Sequence, residues 1–98
     1  MDDSKERDLQ KQYLKSLAES ARGRLSFIAA KIAKVRKADD GIAAKAWVTA
    51  LKAQSKKNSQ LVNSVDLFLS RSIDTASIEE IKLFVEQATS AYRDSSVE

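Results

Sequence analysis

The apolar residues in the first third of the chain recur at alternating intervals of four and three residues. This spacing is typical of an α-helix that packs against a partner helix at a shallow angle. Arg36 and Lys37, followed by Gly41, suit a helix end. The pattern predicts a first helix over about residues 4–37. Its seam consists of Leu14, Ala18, Ala21, Leu25, Ile28, Ile32 and Val35.

A second stripe of the same period predicts a helix over about residues 41–71, with Asp39 or Asp40 as its N-cap. The stripe turns polar at Gln54 and Asn58. In a continuous helix, these amides either face a wet edge or fix the register of the packing. The alternative is a break near Asn58. The stripe consists of Trp47, Leu51, Gln54, Asn58, Leu61, Val65 and Phe68.

The third helix has the clearest start signal, because Ser77 and Glu80 have the spacing of a capping box. Its apolar stripe runs from Ile78 to Tyr92. The pattern predicts a helix over about residues 78–93, followed by a frayed tail from Asp94 onward.

These elements predict an all-α fold in which a long antiparallel helical hairpin packs against a shorter C-terminal helix. The short turn at Asp39–Gly41 forces the first two helices to run antiparallel. The whole chain of 98 residues then forms one three-helix bundle domain, or a four-helix bundle if the second helix breaks near Asn58. The third helix is long enough to cover only the half of the hairpin far from the turn.

The uncovered half near the turn is rich in apolar residues, and an exposed apolar surface often marks an interface. Trp47 has two interpretations there, as a core residue or as an interface anchor. We expect a partner to contact Phe27, Ile32, Val35, Ile42, Trp47 and Leu51.

The positive charge is concentrated in the same half. Residues 30–57 contain eight basic and two acidic residues, a net charge of +6, whereas residues 58–98 have a net charge of −4. Such a basic region suits an acidic protein surface, nucleic acid or anionic lipid as a partner, or is simply a solvated face. Seven of its eight basic residues are lysines, although arginine reads phosphates and bases better. The basic residues are Lys31, Lys34, Arg36, Lys37, Lys45, Lys52, Lys56 and Lys57.

The composition argues against catalysis. The chain has no histidine and no cysteine, so it cannot form a Ser-His-Asp triad, a Cys-His pair or a thiolate or imidazole metal site. No phosphate-binding glycine motif is present. We therefore expect no enzymatic activity, no cofactor and no small-molecule substrate.

The hydropathy pattern contains neither a signal-peptide core nor an apolar run of the roughly 18 residues that a membrane span needs. We therefore expect a cytoplasmic protein without a membrane partner. The favoured hypothesis is a non-enzymatic protein–protein interaction module: an adaptor, an inhibitor or a chaperone-like helical bundle. Its partner would be a protein with an acidic surface or a second copy in a homodimer. The alternative is a nucleic-acid-binding protein that uses the basic half.

Overall fold

A computed structural model describes residues 3–38 and 41–96, which form three α-helices and contain no strand. Helix α1 spans Asp3–Ala38, α2 spans Ile42–Leu67 and α3 spans Ile78–Asp94. The predicted all-α three-helix bundle is confirmed. Helix α2 passes through Asn58 without interruption, so the four-helix alternative is wrong.

The end of α2 differs from the prediction. The α-helix stops at Leu67, and a π-helical turn over Phe68–Ser72 replaces its last turn. The Ile73 amide donates to the Phe68 carbonyl at 2.9 Å. This bond joins residues five apart, which is the spacing that defines a π turn. Within this turn, the ring of Phe68 stacks on that of Phe84, with centroids 4.0 Å apart. The predicted cap residues Asp39 and Asp40 lie outside the described residues, and Gly41 occupies the N-cap position.

Side-chain contacts establish the direction of each helix. Arg22 of α1 pairs with Asp66 near the end of α2, whereas Lys31 lies beside the ring of Trp47 near the start of α2. Helices α1 and α2 therefore run antiparallel. Arg7 and Arg24 of α1 reach the start and the end of α3 respectively, so α3 runs parallel to α1.

The third helix divides the elongated molecule, which measures 58 × 21 × 16 Å, into two regions. We call residues 3–24 and 54–96 the bundle half, where three helices pack together. We call residues 25–38 and 41–53 the tip half, where α1 and α2 pack only against each other. A third helix of 17 residues spans about 25 Å, less than half the length of the molecule.

Most of the core lies in the bundle half. Its buried cluster consists of Leu14, Leu17, Ala18, Ala21, Leu61, Val62, Val65, Ile73, Ala76, Ile81 and Ala88. The buried residues of the tip half are Ile28, Ala44, Val48 and Leu51. Burial at the tip is therefore confined to the narrow line where two helices meet.

Two sets of hydrogen bonds hold the N-terminus of α3. The predicted capping box is confirmed, because the Ser77 hydroxyl accepts from the Glu80 amide and the Glu80 carboxylate accepts from the Ser77 amide. In addition, the Arg7 guanidinium donates to the carbonyls of Ile73 and Ala76. These bonds fix the connection between α2 and α3 against the start of α1.

Candidate interaction surface

The C-terminal end of α3 is fastened to the middle of α2 by buried polar groups. Asn58 is fully buried, and its Nδ2 donates to the carbonyls of Gln54 at 2.9 Å and Ser95 at 3.0 Å. The Ser95 hydroxyl lies 3.3 Å from Asn58 Oδ1, and Gln54 Nε2 donates to the Ser96 carbonyl. The expectation that the tail frays from Asp94 is therefore wrong at Ser95, which is 1% exposed.

In the part of α2 that precedes Gln54, the apolar stripe is only partly buried. The heptad spacing predicted that Trp47 lies in the contact between the helices. In the structure Trp47 is 51% exposed, whereas the neighbouring Val48 is 8% exposed. The reason is that Trp47 lies seven residues before Gln54 and three heptads before Phe68. Phe68 contacts α3, and Gln54 hydrogen-bonds Ser96 just after the end of α3. The row of Trp47 therefore faces the side of α3, and α3 ends before it reaches Trp47.

Trp47 shares its surface with two residues of α1. The ammonium of Lys31 lies 5.6 Å from the ring centroid of Phe27 and 5.5 Å from that of Trp47. Phe27 is 56% exposed, and the side chain of Lys31 is half-buried. Such distances are within the range of cation–π attraction. We call the surface formed by Phe27, Lys31 and Trp47 the tip face.

The other predicted partner contacts do not join the tip face. Leu51 is 4% exposed between α1 and α2, so it lies apart from the tip face. Ile42 is 88% exposed, but five residues along an α-helix turn it about 140° away from Trp47. Val35 lies one heptad after the buried Ile28, along the line between the helices. Ile32 lies one heptad after Leu25, on the flank of α1 away from α3.

The eight basic residues of the predicted patch are also distributed over several faces. Lys31 belongs to the tip face, and Lys34 lies one heptad after Phe27 on the same side. Lys57 lines a groove against α3. Lys45, Lys52 and Arg36 lie on the opposite flank, because they are spaced by heptads from the Arg22–Asp66 ion pair. Lys37 and Lys56 are exposed on the outer sides of α1 and α2.

No described residue of the tip half is acidic, and Asp39 and Asp40 lie outside the described residues. No acidic residue occurs in residues 20–38 or 41–65. The ion pairs between described residues, Lys11–Asp74 and Arg22–Asp66, both involve acids of the bundle half. Among the described residues, Lys31 therefore has aromatic rings beside it but no carboxylate.

A concave surface lies between α2 and α3 in the bundle half. It has a volume of about 440 Å³ and is lined by Lys57, Gln60, Leu61, Ser64, Phe84, Gln87, Ala88, Ala91 and Asp94. None of these residues is among the large apolar side chains that stand exposed. Its aromatic residue, Phe84, is partly buried, so this groove lacks the exposed aromatic anchors that the tip face provides.

No known family model, curated protein or solved structure matches this chain. Within residues 3–38 and 41–96, no cluster of acidic side chains is arranged to hold a metal ion. None of the helices in this part of the chain combines the length and apolarity needed to cross a membrane. The exposed surface of the tip half is consequently the feature on which a function can be argued.

Proposed function

We propose that this chain is a non-enzymatic interaction protein that binds a partner protein through the tip face. The observation that carries the proposal is the pair of exposed aromatic residues, Phe27 and Trp47, in the half that α3 does not cover. Tryptophan and other large aromatic residues supply much of the binding energy at protein interfaces. In this proposal, the bundle half is the scaffold that holds two unpartnered helices in position.

The fixed geometry of α3 supports this division of roles. The Asn58–Ser95 bonds and the stacking of Arg24 on the Tyr92 ring hold the end of α3 in place. The chain's own third helix is thereby kept off Phe27 and Trp47. A partner would meet a surface already formed by two packed helices, which lowers the entropy cost of binding.

Site-specific photocrosslinking in extract from the source cells would test the proposal. A photoreactive phenylalanine analogue would replace Trp47 in one variant, Phe27 in a second and Lys52 in a third. Lys52 is the matched control, because it belongs to the tip half but lies on the opposite flank. We expect one polypeptide to crosslink to positions 47 and 27 and to crosslink much less to position 52.

Two results would contradict the proposal. The first is the absence of any crosslinked polypeptide at positions 47 and 27. The second is equal crosslinking from all three positions, which would indicate non-specific contact with a basic surface.

Nucleic acid is the second candidate partner, favoured by the net charge of +6 over residues 30–57. Exposed aromatic rings beside lysines can also stack with the bases of a single strand. Titration with mixed-sequence DNA and RNA, followed by the fluorescence of Trp47, would test this candidate. If nucleic acid is the partner, the titration should show micromolar binding that weakens steeply with added salt. No response at low salt would eliminate it.

A further inference from the structure

The surface on which α3 lies continues past the end of α3 onto the tip half. On α1, Arg24 stacks on the Tyr92 ring and Tyr13 hydrogen-bonds Thr89 at 2.7 Å. Lys31 lies one heptad after Arg24, and Phe27 lies two heptads after Tyr13. Positions that contact α3 in the bundle half are therefore repeated, without a third helix, at the tip face.

The same continuation occurs on α2. Gln54 hydrogen-bonds the Ser96 carbonyl at the end of α3, and Trp47 lies one heptad earlier in the same row. The open stretch of α1, residues 25–38, is about 21 Å long at 1.5 Å per residue. That length accommodates a helix of about 14 residues lying end to end with α3.

The position of Lys31 indicates the charge that such a helix must have. An occupant that covers Phe27 and Trp47 also covers Lys31, whose ammonium lies within 5.6 Å of both rings. Removing this charge from water is unfavourable unless a carboxylate pairs with it. The described residues 20–38 and 41–65 contain no acid, so this part of the structure supplies no carboxylate and the occupant is expected to provide it.

The helix that covers the adjacent stretch is likewise acidic overall and amphipathic, although the group that it presents to Arg24, one heptad before Lys31, is the Tyr92 carbonyl. Helix α3 contains four acidic and two basic residues and has one strongly apolar face. It therefore shows which kind of helix the two rows of α1 and α2 already accept.

A second copy of the chain fits this surface poorly. Two tip halves placed face to face would bring together two regions, residues 25–53 of each copy, that each have six basic and two acidic residues, a net charge of +4, and like charges across an interface oppose association. The acidic helix of a second copy is not free for this role, because Ile81 and Ala88 on its apolar face are buried in its own bundle.

From these observations we propose that the tip face binds an acidic amphipathic helix of about 14 residues from a partner protein, collinear with α3. A carboxylate of that helix pairs with Lys31, and its apolar side chains pack on Phe27 and Trp47. This inference rests on the proposed function and specifies the partner's chemistry.

Fluorescence anisotropy with synthetic probes tests the inference on the full chain at near-physiological salt. The main probe is a labelled peptide of about 14 residues with leucines on one helical face and glutamate and alanine elsewhere. A scrambled peptide of the same composition and a peptide with lysine in place of glutamate are the peptide controls. A labelled single-stranded oligonucleotide of mixed sequence represents nucleic acid.

Two charge-reversal variants locate the binding site. Lys31→Glu inverts the charge at the tip face, and Lys52→Glu makes the same change in the same half on the opposite flank. We expect the acidic amphipathic peptide to bind in the micromolar range, and Lys31→Glu to weaken it about tenfold or more. Lys52→Glu should weaken it by less than about threefold, the effect of a remote exposed charge. Circular dichroism verifies that both variants remain folded.

Several outcomes would overturn the inference. The scrambled peptide could bind as tightly as the amphipathic one, or the two variants could lose the same affinity. Either result would mean attraction to general positive charge. Tighter binding of the oligonucleotide, weakened by Lys31→Glu, would assign the surface to nucleic acid. Absence of peptide binding together with a position-specific crosslinked protein would reject the acidic helix but leave the proposed function standing.

Discussion

The bundle half and the tip half use the same two helices and the same heptad spacing, but they bury different fractions of their apolar residues. In the bundle half, Leu61 is 5% exposed, whereas Trp47, which occupies the same row of α2 in the tip half, is 51% exposed. The difference arises because α3 covers that row only as far as Gln54. A pair of helices buries one line of residues, and a third helix is needed to bury the rows beside it.

This contrast separates two roles that one apolar pattern can have. Where α3 is present, the stripe stabilises the fold, and where α3 is absent, the same stripe provides an exposed surface. The boundary between the two regions is defined by the buried contact of Asn58 with Ser95.

The largest effect should come from truncating matched isoleucines in the two halves. Ile81 and Ile28 are both 0% exposed, but only Ile81 belongs to the three-helix core. We expect Ile81→Ala to lower the free energy of unfolding by about 4 kcal/mol and Ile28→Ala by about 2 kcal/mol, because the two-helix site can relax into the space left. Urea denaturation of both variants measures this. Equal losses would show that the tip half is as tightly packed as the bundle half.

The next largest effect should come from Asn58→Ala, which removes the bond at the boundary between the halves. The Ser95 carbonyl would lose its amide donor in a buried position, at a cost of about 1–3 kcal/mol. Asn63→Ala is the matched control, because Asn63 is an exposed asparagine of the same helix, and it should change stability by less than about 0.5 kcal/mol. Similar costs for both variants would mean that the buried amide contributes nothing specific.

A gain in stability is expected from Gly23→Ala in the middle of α1. A Cβ added at Gly23 meets no atom within 4 Å, so the helix does not need glycine for a close contact. Alanine should raise the free energy of unfolding by about 0.5–1 kcal/mol through its higher helix propensity. Thermal and urea unfolding would measure the gain. A loss of stability would indicate that this point of α1 must bend between the halves.

Removing Trp47, one of the two exposed aromatic residues of the tip face, should have little effect on stability. Because Trp47 is half exposed, Trp47→Ala should cost less than about 1 kcal/mol. Phe68→Ala, in the same row but stacked on Phe84, should cost about 2 kcal/mol or more. Urea denaturation followed by circular dichroism compares the two variants, since Trp47→Ala lacks the fluorophore. If Trp47→Ala cost as much as Phe68→Ala, Trp47 would be part of the core.

The smallest effect concerns a surface ion pair of the bundle half. The Lys11 ammonium, 2.6 Å from the Asp74 carboxylate, holds the pKa of Asp74 below its usual value through hydrogen bonding and charge attraction. A carboxylate whose pKa is lowered by folding stabilises the protein at neutral pH, and that contribution is lost as the pH falls through the folded pKa. In the Asp74→Asn variant, the unfolding midpoint should therefore fall slightly less than in the unchanged protein as the pH is lowered from neutral to acidic.

Lys11→Met tests the same pair from its other side. It should reduce the acid dependence of the unfolding midpoint in the same direction as Asp74→Asn. Unchanged pH dependence in both variants would show that the pair is fully screened by solvent.

The sequence predicted the helical elements well because their signals are local. The heptad spacing, the Ser77–Glu80 capping box and the short turn near Gly41 each act within a few residues. These signals placed α1, α2 and α3 within one or two residues of their observed limits, except at the end of α2. The π turn after Leu67 was missed because it accompanies a contact between Phe68 and Phe84, sixteen residues apart.

The candidate site was predicted only in part. The sequence located it in the half of the hairpin near the turn and included Phe27, Lys31 and Trp47 among its residues. It also included Leu51 and Ile42, which the structure separates from that surface. The apolar stripe of α2 is wide, and both Trp47 and Val48 have the spacing of a seam.

Local periodicity and charge thus determined that this protein is a helical hairpin with a shorter third helix and a basic end. The tertiary structure alone decided that Val48 is buried while Trp47 is exposed. It also decided that Asn58 bonds the residue at the end of α3, and that Lys31 lies close to two aromatic rings. The physical reason is that helix formation depends on neighbours in sequence, whereas the burial of a given row depends on which other helix lies over it and where that helix ends.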